Sequence, residues 1–227
     1  NYPNRVHYFP SWAEVLPEAS SGIAINFAPE ITRDEKIFNI VFAGNIADAQ
    51  DMPSILRAAN ILKEEKLIKW IIVGDGRRFE WLRSEVMRLR LESNILLLGR
   101  FPLERMPSFF LHAGALLVSL KKDPVFSMTI PAKLQTYLMT GKPILGMLDG
   151  EGARIIEESN AGFCSGASDS IGLASAAKKM SLLTRDEHTR LGLNGIQYSK
   201  KEFDRDTLMK KLDQFFISAV DQHRSNS

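Results

Sequence analysis

Six short runs in this 227-residue sequence are apolar or β-branched almost throughout, so none of them can present one wet face. They are "NIVFAG" (39–44), "WIIVGDG" (70–76), "NILLLGRF" (94–101), "GALLVSL" (114–120), "KPILGML" (142–148) and the less apolar "AGFCSG" (161–166). Strands of this kind belong to a parallel sheet covered on both sides. Helix-like segments separate them. "DMPSILRAANILKEEKLI" (51–68) has Asp51 as a candidate N-cap, Pro53 in the first turn, and Ile55, Leu56, Ala59 and Leu62 on one face. "RRFEWLRSEVMRLRLES" (77–93) places Phe79, Leu82, Val86 and Leu89 on an apolar face. Further helical segments begin at Leu103, Ile130, Gly152, Ser170 and Arg205. The expected fold is a doubly wound, Rossmann-like α/β domain with ligands at the carboxyl ends of its strands.

Composition excludes several classes. Hydrophobic residues at 44% and charged residues at 25% describe a globular chain, and a balance of 29 basic against 27 acidic residues gives no electrostatic case for nucleic acid. One cysteine, Cys164, rules out an internal disulfide and points to a reducing compartment such as the cytoplasm. No run approaches the roughly 20 apolar residues of a membrane span. Histidines at 7, 112, 188 and 223 form no ligand-spaced pair, so no intrinsic metal is expected. Trp81, Phe109 and Phe110 read as packing, and His112 as a helix-end residue.

Glycine-bearing turns follow the apolar runs at "AGNIADAQ", "VGDGRR" and "LGRF", and in a parallel sheet they lie on one edge with the turn before "FSMTIPAK". Small residues there let ligand phosphates approach backbone N–H groups. Gly74-Asp75-Gly76 matches only part of a dinucleotide fingerprint, since the third glycine would fall at Phe79, and no Walker A run occurs. The better anion site is "FSMTIPAKLQTYLMTGKPIL" (126–145). Pro131 suits a first helical position, which would leave the amides of Thr129 and Ile130 free beside the positive end of the helix. Lys133 in that turn is either a solvated surface lysine or the cation of the site.

Five blocks in order carry a resemblance that extends from about Phe38 to Phe216: "FAGNIADAQDMPSILRAA", "WIIVGDGRR", "NILLLGRFPLERMPSFFLHAGALLVSL", "DPVFSMTIPAKLQTYLMTGKPIL" and "GEGARIIEESNAGF". Together they resemble the carboxy-terminal domain of bacterial GT-B-type glycosyltransferases, retaining nucleotide-sugar transferases of surface polysaccharide synthesis. The blocks around Lys133 and Arg154 are most similar to the branch of lipid-linked hexosamine transferases such as fucosaminyltransferases.

That resemblance implies a nucleoside diphosphate sugar as donor, UDP-linked, and no intrinsic cofactor. Gly44 and Asn45 would approach the phosphates, with Gly74 on the adjacent turn. Gly99, Arg100 and Phe101 would face the base, and the helix opening at Pro131, with Thr129, Ile130 and Lys133, would meet the diphosphate. Many relatives have two basic residues where this chain has Asn45 and Gln50, so Lys133, with Arg100 or Lys121, would have to supply the charge that stabilises the departing diphosphate. The family's paired glutamates fall at Met128 and Thr136, so no catalytic glutamate is carried over. Thr136 is either a substitute contact or an ordinary helix residue.

The expected organisation is a remnant of a preceding domain and linker over 1–36, the donor domain over 37–222, and a polar tail over 223–227. An amino-terminal acceptor domain is then a missing partner, without which the chain alone would be inactive. The acceptor would be a sugar or lipid-linked glycan in O-antigen or capsule synthesis. The full-length protein would be cytoplasmic, peripheral to the inner face of the plasma membrane. A non-catalytic nucleotide-sugar binding subunit, a GT-B-type epimerase and a nicotinamide-dependent oxidoreductase are the alternatives.

Overall fold

A computed structural model describes residues 8–13 and 26–225. Its strands are β1 (Phe38–Ala43), β2 (Ile68–Val73), β3 (Ile95–Gly99), β4 (Ala115–Ser119), β5 (Ile144–Met147) and β6 (Gly162–Ser165). Every pairing is parallel, in the order β3-β2-β1-β4-β5-β6. Because side chains alternate across a strand, the apolar runs feed two core layers. Ile40 and Phe42, Trp70 and Ile72, Ala115 and Leu117 enter one layer. Val41 and Ala43, Ile71 and Val73, Leu116 and Val118 enter the other.

Helices cover both layers, which answers the doubly wound expectation. The first face carries α1 (Met52–Ile61), α2 (Phe79–Arg88) and, further along the chain, Ser170–Ser181. The second carries α3 (Met106–Phe110), the short α4 (Pro124–Ser127) beside its rim, α5 (Ala132–Met139) and α6 (Glu151–Ser159). Ser170–Ser181 is α7, followed by α8 (Arg185–Glu202) and α9 (Arg205–Ser225). In α1, Asp51 accepts from Ser54 N–H, and Pro53 sits in the first turn where its missing N–H is harmless.

The sequence reading has no helix at α8. Its contact stripe is made of glycines in place of large apolar residues: a Cβ on Gly192 would lie 1.9 Å from the Gly141 carbonyl oxygen, and one on Gly195 would lie 3.2 Å from that of Leu138. The helix thereby approaches the backbone at the end of α5. A capping box of Thr184 and Glu187 opens it, a signal that was present in the sequence. Gly192→Ala is therefore expected to lower stability by about 2 kcal/mol, despite the roughly 1 kcal/mol that alanine gains over glycine within a helix. Urea unfolding would show a lower midpoint at unchanged slope.

Residues 8–12, the described part of the lone-strand candidate, form no strand, and residues 5–7 lie outside the described residues. Residues 26–36 form turns only, yet Ala28 and Ile31 are buried in the second layer. Ala28 N–H donates to Ser108 O at 3.2 Å, and Arg105 pairs with Glu30 at 2.8 Å. Residues 14–25 of the expected linker lie outside the described residues. The expected polar tail begins inside α9, which runs to Ser225; residues 226–227 are outside the description.

Candidate donor-binding site

The strand order reverses between β1 and β4, and there the sheet opens. β1 pairs with β2 from Phe38↔Ile68 to Ala43↔Val73, but with β4 only at Ile40↔Ala115 and Val41↔Leu116. Beyond Val41 the two strands part, which creates the carboxyl-edge crevice where doubly wound folds bind ligands.

Three turns are stitched side by side at this edge. Gly44 N–H donates to Val73 O at 2.9 Å, Gly74 N–H to Gly99 O at 2.7 Å and Ile46 N–H to Asp75 O at 2.8 Å. Gly44 and Gly74 have φ of 142° and 149°, and a Cβ on Gly74 would stand 1.9 Å from Gly44 O. Only glycine permits that conformation and approach. The Asn45 N–H has no hydrogen-bond partner among the described residues.

α5 delivers a cation into the crevice. Lys133 leaves its first turn and places Nζ 3.8 Å from the centroid of the Phe42 ring. Phe42 belongs to the layer opposite α5, so the side chain reaches across the carboxyl edge of the sheet. The ammonium is shielded from solvent and has no hydrogen-bond partner among the described residues, although part of its stem is exposed. Burial alone lowers its pKa to about 7. A Cβ on Gly44 would lie 3.0 Å from Nζ, so lysine and glycine turn share one small volume. The solvated alternative for Lys133 is thus excluded. The ring face offsets part of the desolvation, but a buried unpaired lysine opposes folding.

Two cavities meet at Gly44, Leu103 and Met106. One of about 940 Å³ is lined by the three turns and includes Gly44, Asn45, Gly74, Arg100 and Phe101. The other, about 480 Å³, includes Lys133, Thr136 and Trp12 and has no carboxylate among the described residues of its lining. Most of the residues expected from the sequence are thus brought together. Gly99 contributes a carbonyl to the stitching and lines neither cavity.

Thr129 departs from expectation. Its amide donates to Phe126 O at 3.1 Å and its hydroxyl to Val125 O at 2.9 Å, because α4 ends in a tight turn that takes both donors. Pro131 is the N-cap of α5 and not its first helical residue, with ψ 124°. Ile130 packs against the second core layer. Thr129, Ile130 and Pro131 line neither cavity. Met128 is 72% exposed. Gln50, at the position of a missing basic residue, accepts the Ala47 N–H at 3.2 Å and so closes its own loop. Lys121 is exposed and lines neither cavity.

Two features escaped the sequence reading. Asp48 pairs with both Arg77 and Arg78, drawing the two charges of "VGDGRR" toward the first turn. Tyr137, one helical turn after Lys133, is buried with its hydroxyl on the backbone of Ala43. Neither had a pattern that separates it from ordinary surface or core residues.

The remaining candidates behave as packing. Phe109 is fully buried and meets Phe101 edge-on at 4.8 Å, while Phe110 meets Tyr137 at 5.4 Å. His112 lies just past α3, its Nε2 3.0 Å from Ala28 O, and burial lowers its pKa. Burial pushes the Cys164 thiol up to about 11. Among the described residues no helix is long and apolar enough to cross a membrane.

Comparison with known proteins places this fold. Solved structures share the fold: Anabaena Alr3699/HepE in complex with UDP has a TM-score of 0.68 at 16% identity over 81% of this chain and 49% of that one. A mutant of S. aureus TarM in complex with fondaparinux, alpha-GlcNAc-glycerol and UDP has a TM-score of 0.67 at 13% identity, over 86% and 38%. The pneumococcal O-GlcNAc transferase GtfA in complex with UDP and GlcNAc has 0.62 at 16%, over 85% and 37%. This chain therefore spans less than half the length of these structures. No curated protein matches the sequence. The model of the family described as glycosyl transferases group 1 matches residues 37–182, which is more than half of the chain. With a fold that matches GT-B glycosyltransferase domains and a continuous family match from β1 through α7, the chain belongs to the glycosyl transferases group 1 family.

Proposed function

We propose that this chain is the donor-binding half of a retaining glycosyltransferase, which holds a UDP-linked sugar and stabilises its diphosphate as it leaves. One observation carries the reading: a shielded lysine ammonium, without a hydrogen-bond partner among the described residues, beside a glycine turn at the crevice between β1 and β4. A charge buried at such expense is explained by an anion that completes it. The Asn45 N–H adds a donor on the same turn, and the larger cavity has room for a nucleoside next to the phosphates. Neighbouring structures crystallised with UDP or UDP-glucose support this choice of ligand.

The acceptor in this reading is a sugar or lipid-linked glycan of bacterial surface polysaccharide, with a fucosaminyl-type hexosamine as the transferred sugar. An amino-terminal domain would bind the acceptor, so the chain alone is inactive in transfer, and the whole enzyme works at the inner face of the plasma membrane. Lys133, assisted by Arg100, neutralises the diphosphate, and the contacts that relatives make through paired glutamates are replaced. Absence of any carboxylate among the described residues of the smaller cavity's lining favours a second reading, a nucleotide-sugar binding subunit without catalysis of its own.

Calorimetric titration with UDP, GDP and NAD tests the proposal. UDP is expected to bind at least tenfold more tightly than NAD, which corresponds to about 1.4 kcal/mol. Equal or stronger NAD binding would favour a nicotinamide enzyme, and turnover of a UDP-sugar without acceptor would favour an epimerase. Detection of transfer only after an acceptor-binding domain is supplied in cis, and not by mixing it as a separate subunit, would exclude the second reading.

A further inference from the structure

Where β1 leaves β4, the backbone of Ala43 loses its sheet partner on that side, yet it is buried. Tyr137 takes the partner's place. Ala43 N–H donates to the tyrosine oxygen at 3.0 Å, and the tyrosine O–H donates to Ala43 O at 3.1 Å. One hydroxyl thus satisfies both groups of the residue that precedes Gly44. Its ring is held edge-on by Phe110, and burial raises its pKa, so it keeps the proton this double role needs. Tyr137 and Lys133 lie four residues apart, on one face of α5.

We propose that Tyr137 is a positioning residue for the anion site, fixing the Ala43–Gly44 corner to α5 so that the Asn45 amide and the Lys133 ammonium stay at a set separation. A simple core tyrosine would need its ring buried and its hydroxyl satisfied anywhere. This hydroxyl instead bonds the residue between Phe42, whose ring meets Nζ, and Gly44, where a Cβ would lie 3.0 Å from Nζ, so its displacement would disturb the Lys133 niche. Ligand binding by that niche rests on the donor-site reading. The mechanical coupling of Tyr137 to Lys133 does not.

Tyr137→Phe removes the hydroxyl and keeps the ring. The first readout needs no nucleotide: the titration of Lys133 followed by the NMR shift of its Cε carbon in the unliganded chain. Among the described residues no charged side chain contributes to the lowered pKa of Lys133, whose cause is burial. Arg105 on the adjoining turn is engaged by Glu30, and Asp75 and Arg100 line the neighbouring cavity. Water entering a loosened niche is therefore expected to raise the midpoint in the variant. The second readout is UDP affinity below the unfolding temperature, expected to fall about tenfold.

Leu173→Ala, on α7 in the opposite core layer, is the destabilised control and should change neither readout. A Tyr137→Phe protein that is less stable but keeps the native Lys133 midpoint would overturn the proposal. If the native chain does not bind UDP, the donor reading fails while the Lys133 midpoint still judges the coupling. Amide hydrogen exchange on the native chain judges it without a variant: the Ala43 amide should be strongly protected, and exchange at the rate of an exposed amide would overturn it.

Discussion

Lys133→Met should make the protein more stable and nearly unable to bind UDP. The ammonium is shielded, has no hydrogen-bond partner among the described residues, and rests on a phenyl ring. Methionine of similar length leaves the ring contact and removes the charge, so the folded state is expected to gain about 2 kcal/mol. UDP affinity should drop about 100-fold, because a charge-assisted contact in a shielded site is lost. A shared loss of stability and affinity would instead identify Lys133 as part of the packing. Differential unfolding and calorimetry on the same preparation separate these outcomes.

The same lysine sets a pH dependence whose sign is fixed. In the unfolded chain it keeps its proton to about pH 10, whereas burial brings the folded value down to about 7. Between these values the unfolded state binds more protons, so this group's contribution to stability rises with pH. The stability advantage of Lys133→Met should accordingly be largest below pH 7 and shrink toward pH 10. UDP binding follows the opposite course. Its terminal phosphate, with a second pKa of about 6, is almost fully ionised above about pH 7, but the free lysine is neutral above about 7 and must take up a proton to bind. Affinity should fall by up to about tenfold per pH unit above that point. Lys133→Arg, which does not deprotonate, should bind with a flat profile over the same range.

How much of this was readable from the residues follows from what each type can hide. The six strands were legible because their apolar runs have no second use, and the position of Lys133 was legible because Pro131 marks a helix start. What the lysine does there was not, since burial of its ammonium depends on the separation of β1 and β4, which no local pattern encodes. Tyr137 was invisible for a related reason: in "KLQTYL" it looks like one more buried aromatic, and its meaning comes from an unpaired backbone residue 94 positions away. The α8 helix was missed because its contact stripe is Gly192 and Gly195, absences of side chain that a search for apolar periodicity cannot register. Thr129 was misjudged because α4 takes both of its donors before α5 begins.

Gly74→Ala should remove donor binding through the backbone alone. A methyl at that position would stand 1.9 Å from Gly44 O, and the residue's φ of 149° is one that a Cβ disfavours. Backbone cannot rotate away as a side chain can, so the Gly44 turn must retreat by more than 1 Å toward contact distance. Gly44 also holds Val73 O and borders the Lys133 ammonium. Its retreat therefore moves the amide, the cation and the cavity wall together. Displacement of this size in a positioned site costs about 100-fold in ligand affinity, and the strained residue costs about 1–3 kcal/mol in stability. Suppression would require a second change that makes room, and the three nearest atoms in the way, among the described residues, are all main chain of Gly44. A calorimetric titration of Gly74→Ala with UDP, made beside Gly99→Ala, tests the distinction, because a Cβ on Gly99 meets nothing within 4 Å. Gly99 has a positive φ of its own, 76°, so both variants should lose stability, while only Gly74→Ala should lose the ligand. Equal losses of UDP affinity would show that the rim responds to strain in any of its glycines, and the close approach of Gly44 and Gly74 would then not be what shapes the site.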